Sequence, residues 1–264
     1  MIVKTFREQQ RLTGPGPYRF QRTTDNPIDT PPFNGLGNPS RPVGLIHSAF
    51  RPSDDACLYP FLIPANLFAV VALKQLAELF TTVVSDTTFA GECRALAQQI
   101  NQAVNVYGKR RGLVYAYEVD GFGNQLMMDD ANVPSLLSLP YLGCCAASDP
   151  VYRRTRAFVL SPDNPFFFRG KAAEGIGGPH VGVNMIWPLG IIVRALTSTD
   201  DREILYCLRV LKTTHAGTGF MHEAFDKDDP KKFTRSWFAW ANTMFGELIV
   251  RLYEQRPHLL KLEL

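Results

Sequence analysis

Apolar residues recur with a helical period in several parts of this sequence. The clearest pattern lies between Asp86 and Gly108, where an apolar residue returns every three or four positions. Asp86 precedes the pattern and Gly108 follows it, as helix-capping residues do. A second amphipathic helix is predicted after Pro64, which suits a first helical turn. The two segments follow one another closely and predict a helical pair joined by a short turn.

The second half of the chain predicts several further helices. Asp200 and Glu203 have the spacing of a capping box in front of one of them. The last predicted helix is apolar nearly all round, so we expect it to be buried on most sides. A short strand is predicted from Leu113 to Val119. The other predicted helices run over Val133 to Leu142, Pro150 to Leu160, Asn184 to Thr197 and Ser236 to Glu254.

The segments between the helices are long and rich in Pro, Gly and charged residues. Residues 1–55 show no period of 2 or 3.6 and predict a loop-rich arm. About seven helices, paired along the sequence, alternate with loops that carry Asp, Glu, His, Arg and Trp. No fixed repeat and no linker is evident. The sequence therefore predicts a single all-α domain over residues 1–264, with functional loops at one end.

Composition narrows the class of protein. The 264 residues are 45% hydrophobic and 20% charged, which excludes disordered, collagen-like and coiled-coil chains. A net charge of +3 argues against nucleic acid or an anionic membrane as the main partner. No apolar run approaches the roughly 18 residues of a membrane span, and residues 1–10 lack the apolar stretch of a signal peptide. Five cysteines without CxxC spacing favour a reducing compartment, but localisation stays open.

Acidic residues in loops are the main candidates for chemistry. Asp54 and Asp55 form one adjacent pair, and Asp129 and Asp130 form another. Neighbouring carboxylates with apolar flanks are costly unless they bind something or hold a proton. Capping of the following helix explains one member of each pair and leaves the other unexplained. Glu223 has no helix to cap and is a candidate for proton transfer. The alternative is a structural ion pair between Glu223 and a cation such as Arg235.

Metal chemistry has little support in the sequence. The segment HEAFD lacks the second histidine of HExxH, and no His or Cys spacing fits a zinc site. We predict no metal or other cofactor, although paired aspartates could bind calcium. Trp187 and Trp237 lie beside polar loops and suit stacking against a sugar ring, whereas Trp240 is expected in the core. Carboxylates together with aromatic walls indicate a glycosidase.

Several longer segments of the sequence resemble those of a known protein family. The segments YRFQRTTDNPIDTPPFNGLGNP, SAFRPSDDACLYPFLIPANLFAVVAL, DGFGNQLMMDDANVPSLLSLPYLG, GGPHVGVNMIWPLGIIVRALTS and GTGFMHEAFDKDDPKKFTRSWFAWANTMFGE are similar to glycoside hydrolase family 125. Its members are metal-independent, exo-acting α-1,6-mannosidases of bacteria and fungi. The resemblance runs in order from about Phe6 to Tyr253.

This resemblance implies a fold, an activity and a set of roles. The fold is an (α/α)₆ barrel, a helical toroid, and the reaction removes a non-reducing terminal mannose with inversion. Glu223 is implied as the general base, and Asp55 or Asp54 as the general acid, with Asp55 favoured. The expected ligand is a mannose-containing oligosaccharide or N-glycan. Expected substrate-binding residues are Arg51, Asp129, Asp130, Asn132, His180, Trp187, His222 and Trp237.

The helix count departs from the family. An (α/α)₆ barrel needs twelve helices, and this sequence predicts about seven. We therefore expect an incomplete barrel that corresponds to the C-terminal part of a longer family member. The N-terminal segment of such a member is then an expected partner, and an apolar flank is expected to be exposed without it. The alternative function is that of an inactive remnant that binds mannosides without hydrolysing them.

Overall fold

The computed structural model describes residues 1–263 and is mainly helical. Its strands are two or three residues long: β1 Phe61–Leu62, β2 Lys109–Arg110, β3 Val114–Tyr115, β4 Glu118–Val119, β5 Gln125–Leu126, β6 Phe167–Arg169, β7 Glu174–Ile176, β8 Met185–Ile186, β9 Ala224–Asp226 and β10 Phe233–Thr234. The α-helices of this part are α1 Ile2–Gln9, α2 Pro32–Gly35, α3 Ile63–Thr82, α4 Thr87–Tyr107, α5 Pro150–Val159, α6 Pro188–Leu196, α7 Asp201–Thr213 and α8 Ala239–Gln255. The described chain forms two compact units.

The first unit comprises Met1–Met127 and Leu142–Thr155 and is organised around helices α3 and α4. These two helices pack along one another and confirm the predicted pair. The Asp86 carboxylate caps α4 by accepting the Phe89 N–H at 2.9 Å. Beside the helices, β1, β4 and β5 form an antiparallel sheet in the order β1-β4-β5. Strand β1 precedes α3, and β4 and β5 follow α4, so this sheet links the two ends of the helical pair.

Two sequence predictions for the first unit need correction. The arm over residues 1–55 is not all loop, because Ile2–Gln9 forms α1. Eight residues are too few for a periodic pattern to stand out from the loop that follows. The predicted strand Leu113 to Val119 is two strands, β3 and β4, which pair with different partners. The exposed fractions of Phe68 and Leu79 on α3 are 40% and 48%, so apolar surface is present on this unit.

The second unit comprises Met128–Tyr141 and the described residues from Arg156 onward. Helices α6, α7 and α8 enclose its core, in which Ile192, Leu208 and Phe225 are fully or nearly fully buried. Two antiparallel sheets accompany them, one formed by β8, β9 and β10 and the other by β6 and β7. Asp200 caps α7 by accepting the Arg202 N–H at 2.9 Å, as its position predicts.

Several predictions for the second unit are wrong in detail. Residues 133–142 form successive turns instead of a helix, and Asn184 leads into β8 before α6 begins at Pro188. Glu203 does not complete a capping box, because its carboxylate binds Arg156 and Arg194 at 2.8 Å each. Helix α8 is not buried on most sides. Its buried residues are Ala241, Leu248 and Leu252.

Helix α3 also changes one conclusion drawn from composition. The 20 residues Ile63–Thr82 are long and apolar enough to cross a membrane by length and composition, with 44% of the apolar window buried. A core helix meets the same criterion, and α3 packs along α4. The mainly helical class of the fold is confirmed. The incomplete (α/α)₆ barrel and the single partial domain stay predictions.

Candidate active site

Glu223 lies at the end of a β-hairpin in the second unit. In the hairpin of β9 and β10, Ala224 is opposite Thr234. One step further along this antiparallel register, Glu223 and Arg235 come opposite each other. The Arg235 Nε atom lies 3.3 Å from the Glu223 Oε1 atom, and the Glu223 side chain is 7% exposed against 63% for Arg235. The alternative read from the sequence, an ion pair with Arg235, is therefore present in the structure.

His222 precedes this carboxylate and is completely buried. Its Nδ1 atom lies 3.0 Å from the Ser236 carbonyl oxygen. A carbonyl oxygen can only accept, so Nδ1 carries the hydrogen. The imidazole ring stacks on the Phe233 ring with centroids 3.9 Å apart. Among residues 1–263, the Nε2 atom has no hydrogen-bond partner, which leaves a buried ring nitrogen able to accept a hydrogen bond in the neutral form.

Aromatic rings form a cluster at the starts of helices α6 and α8. Trp187 is the N-cap residue of α6 and is 1% exposed. Its ring lies edge-to-face with Phe238 at 5.9 Å and 6.3 Å from His180, and its Nε1–H has no acceptor among the described residues. Trp237 is 55% exposed, as a sugar platform requires. Trp240 is 51% exposed, so its predicted place in the core is wrong.

Asp129 is buried and stabilises the turns that replace the predicted helix. Its two carboxylate oxygens accept the backbone N–H groups of Leu136 and Leu137 at 2.8 and 2.9 Å. Burial raises the pKa of Asp129 to about 8, although these N–H donors favour the ionised form. Of the adjacent pair Asp129 and Asp130, Asp129 therefore has the predicted capping role. It caps a turn, whereas the sequence predicted a helix.

Asp130 and Asn132 form a second buried polar group in this unit. The Asp130 Oδ1 atom accepts both the backbone N–H and the side-chain amide of Asn132 at 2.9 Å. A Cβ at Gly178 would lie 3.0 Å from Asp130 Oδ2, so glycine permits this close approach. The Asn132 Oδ1 atom has no partner among residues 1–263. The pair thus presents an amide oxygen for a ligand donor.

Arg51 in the first unit is held by a carboxylate that sequence reasoning missed. Glu118 is fully buried, and its Oε1 atom accepts from Arg51 Nε at 2.6 Å. Its Oε2 atom accepts the backbone N–H groups of Leu58 and Tyr59, each at 3.0 Å. Burial alone would lower the pKa of Arg51, but the bond and the charge of Glu118 raise it. The sequence signal that could have identified Glu118 is its position as the one carboxylate in the otherwise mainly apolar segment LVYAYEV.

The structure separates the two candidates for the general acid. Asp54 is exposed and has a φ of 70°, whereas Asp55 is 1% exposed. A tight turn holds Asp55, because its carbonyl oxygen accepts the Arg51 N–H at 2.8 Å. Neither aspartate caps α3, whose N-cap residue is Leu62 without a side-chain bond. The capping hypothesis for this pair is therefore wrong.

Metal ligation has no candidate cluster in the described part of the chain. No group of three or more His, Cys, Asp or Glu in residues 1–263 is arranged to hold an ion. The acidic residues from Asp226 onward stabilise a turn. The Asp226 Oδ1 atom accepts the N–H groups of Asp228 and Asp229 at 2.9 and 3.0 Å.

A mainly helical chain with buried carboxyl groups and an exposed loop tryptophan, Trp237, has the features of a helical glycoside hydrolase. Residues 1–250 match the family model of glycoside hydrolase family 125, described as metal-independent alpha-mannosidase, and the chain belongs to this family. It is 48% identical over 263 residues to the meiotically up-regulated gene 157 protein of Schizosaccharomyces pombe, covering 97% of this chain and 52% of that protein.

A solved structure agrees with this assignment. The chain matches a Streptococcus pneumoniae protein from a family of metal-independent alpha mannosidases, determined as a non-productive complex with alpha-1,6-mannobiose. The match has a TM-score of 0.92 and 41% identity, and it covers 97% of this chain and 61% of that one. The chain thus spans about half the length of the S. pombe relative and about three fifths of the streptococcal one.

Proposed function

We propose that this chain serves as an exo-acting α-1,6-mannosidase that removes terminal mannose from oligosaccharides such as N-glycans, with inversion. The family match over residues 1–250 is the observation that carries the proposal. The mannobiose complex of the streptococcal relative supports the choice of linkage. No cofactor is required for this chemistry, because two carboxyl groups and a water molecule suffice.

In this proposal Glu223 is the general base and Asp55 the general acid. Glu223 takes a proton from water, whose oxygen attacks the anomeric carbon. Asp55 gives its proton to the glycosidic oxygen, so the C–O bond breaks and a free hydroxyl leaves. The Arg235 Nε atom, 3.3 Å from the Glu223 Oε1 atom, holds this carboxylate at the end of the hairpin. The burial of Asp55 and the exposure of Asp54 support Asp55 as the acid.

Groups with unused hydrogen-bonding capacity are proposed to hold the sugar. His222 Nε2 and Asn132 Oδ1 accept from mannose hydroxyl groups, and Trp187 Nε1 donates to one. Trp237 offers an exposed ring for the apolar face of the pyranose. Asp130, which accepts from the Asn132 amide, and His180, beside the Trp187 ring, are the remaining residues proposed for the sugar site. Arg51 and Asp129 act by holding the loops to which their bonds tie them.

A chain that binds mannosides without hydrolysing them is the second candidate. The observation that favours it is the extent of the match, which covers 61% of the streptococcal chain. Rate depends on holding a substrate to within fractions of an ångström, whereas binding tolerates a looser site.

Release of mannose from α-1,6-mannobiose distinguishes the two candidates. Wild-type protein should release mannose, and proton NMR should show the β-anomer first because the reaction inverts. Glu223→Gln should lower kcat at least about 10³-fold and keep mannobiose affinity within about threefold, since the amide keeps the shape and loses the base. Asp55→Asn should also lose activity, and Asp54→Asn is the matched control. Binding without release by the wild-type protein would favour the second candidate.

A further inference from the structure

Arg235, which forms an ion pair with the proposed base, has an unusual backbone conformation. It follows β10 with a φ of 44°, in the left-handed region that residues with large side chains rarely adopt. This conformation occurs immediately after the strand, at the position opposite Glu223. Such outliers persist where surrounding contacts hold them, and they cluster at functional sites. The backbone therefore places the guanidinium beside the carboxylate at a conformational cost.

The guanidinium contacts an aromatic ring as well as the carboxylate. Its central carbon lies 5.7 Å from the Phe238 ring centroid, and Phe238 packs against buried Trp187. A cation over an aromatic face is attracted by the ring quadrupole. Arg235 thus connects the buried Glu223 with the aromatic cluster, although most of its own side chain is exposed. Two contacts orient the cation, and neither depends on a bound sugar.

The residues that adjoin Glu223 along the chain and in the sheet differ in charge. His222 precedes Glu223, and its Nδ1 atom faces Ser236. On the far side of β9, strand β8 contributes Met185 and Ile186, which are uncharged. Asp226 lies at the opposite end of β9, where its side chain accepts from the following turn. Arg235 is the charged residue that β10 brings to the carboxylate.

We propose that Arg235 is a positioning residue that holds the Glu223 carboxylate in the orientation from which it takes a proton from water. This inference rests on the proposed role of Glu223 as the base. The Phe238 ring orients the guanidinium, and the ion pair at 3.3 Å in turn holds one oxygen of the carboxylate. A small misplacement of a reacting group slows the chemical step more than it weakens binding. We expect Arg235→Gln to lower kcat at least about 10-fold and to change the KM for mannobiose less than about 2-fold.

Crystal structures and mannobiose hydrolysis of the whole chain test this directly. The Glu223 carboxylate should occupy one position in wild type and several in Arg235→Gln. Arg235→Lys restores the charge and should restore a single position. In hydrolysis, kcat should fall in Arg235→Gln and recover most of the way in Arg235→Lys, while KM stays within about 2-fold of wild type.

Arg251 provides a matched control within the same unit. It pairs with Glu247 at 2.8 Å and lies over the Tyr141 ring at 5.1 Å, so it also combines an ion pair with a cation–π contact. Arg251→Gln should leave the position of the Glu223 carboxylate, kcat and KM unchanged.

The outcomes separate this inference from the proposed function. A Glu223 carboxylate that keeps its wild-type position in Arg235→Gln overturns the inference, whether or not mannose is released. A displaced carboxylate together with a lower kcat supports both. A displaced carboxylate in a protein without mannose release supports the hold of Arg235 on the carboxylate and overturns the proposed hydrolysis.

Discussion

Breaking the buried ion pair of Arg51 and Glu118 should be among the most costly single changes to the first unit. The side chains are 8% and 0% exposed, and the carboxylate accepts three hydrogen bonds. Removing one partner of a buried pair costs about 3–5 kcal/mol, because the other charge stays buried without compensation. In Glu118→Ala, the N–H groups of Leu58 and Tyr59 would also lose their acceptor.

The expected loss in Glu118→Ala is about 5 kcal/mol, since water entering the vacated space offsets part of the summed terms. That is comparable to the total stability of a small domain, so the milder Glu118→Gln is the practical measurement. It keeps the shape and one acceptor oxygen and loses the charge. We expect its free energy of unfolding to fall by about 2–3 kcal/mol.

Urea denaturation followed by circular dichroism gives these free energies. Glu247→Gln is the control, because Glu247 pairs with Arg251 at the surface with side chains 38% and 41% exposed. It should change stability by less than about 1 kcal/mol. The loop that Glu118 holds also carries Asp55, so Glu118→Gln should lower mannosidase activity as well. A Glu118→Gln protein within about 0.5 kcal/mol of wild type would refute the reasoning.

Four further predictions concern the second unit. Since burial raises the pKa of Asp129 to about 8 from 3.8, the folded state binds more protons at this group than the unfolded state does between these values, and the contribution of Asp129 to stability should fall as pH rises from about 4 to 8. Asp129→Asn should flatten that decline in urea titrations, and a rise instead would show that the backbone donors outweigh burial. Gly178→Ala should cost about 1–3 kcal/mol in thermal unfolding, because its Cβ would crowd Asp130. Trp187→Ala should cost about 3–5 kcal/mol. Trp237→Ala should weaken mannoside binding in calorimetry with little loss of stability, and the reverse pattern would contradict the assigned burial.

The sequence alone determined the features that depend on neighbouring residues. The caps Asp86 and Asp200 were predicted correctly because an N-cap side chain binds an N–H two or three positions away. Helices α3 and α4 followed from their periodic apolar faces. The resemblance to family 125 was likewise carried by contiguous words, and the match over residues 1–250 confirmed it.

Tertiary structure decided the features that depend on residues far apart. Residues 133–142 looked helical, but the Asp129 carboxylate offers their N–H groups another acceptor. Glu203 had the spacing of a capping box, yet Arg156 from a distant helix competes for it. Glu118 binds Arg51, which is 67 positions away in the sequence. Arg235 lies beside Glu223 because of the register of the β9–β10 hairpin. Local pattern cannot choose among such partners, because the free energy of a buried charge is set by what the whole fold brings beside it.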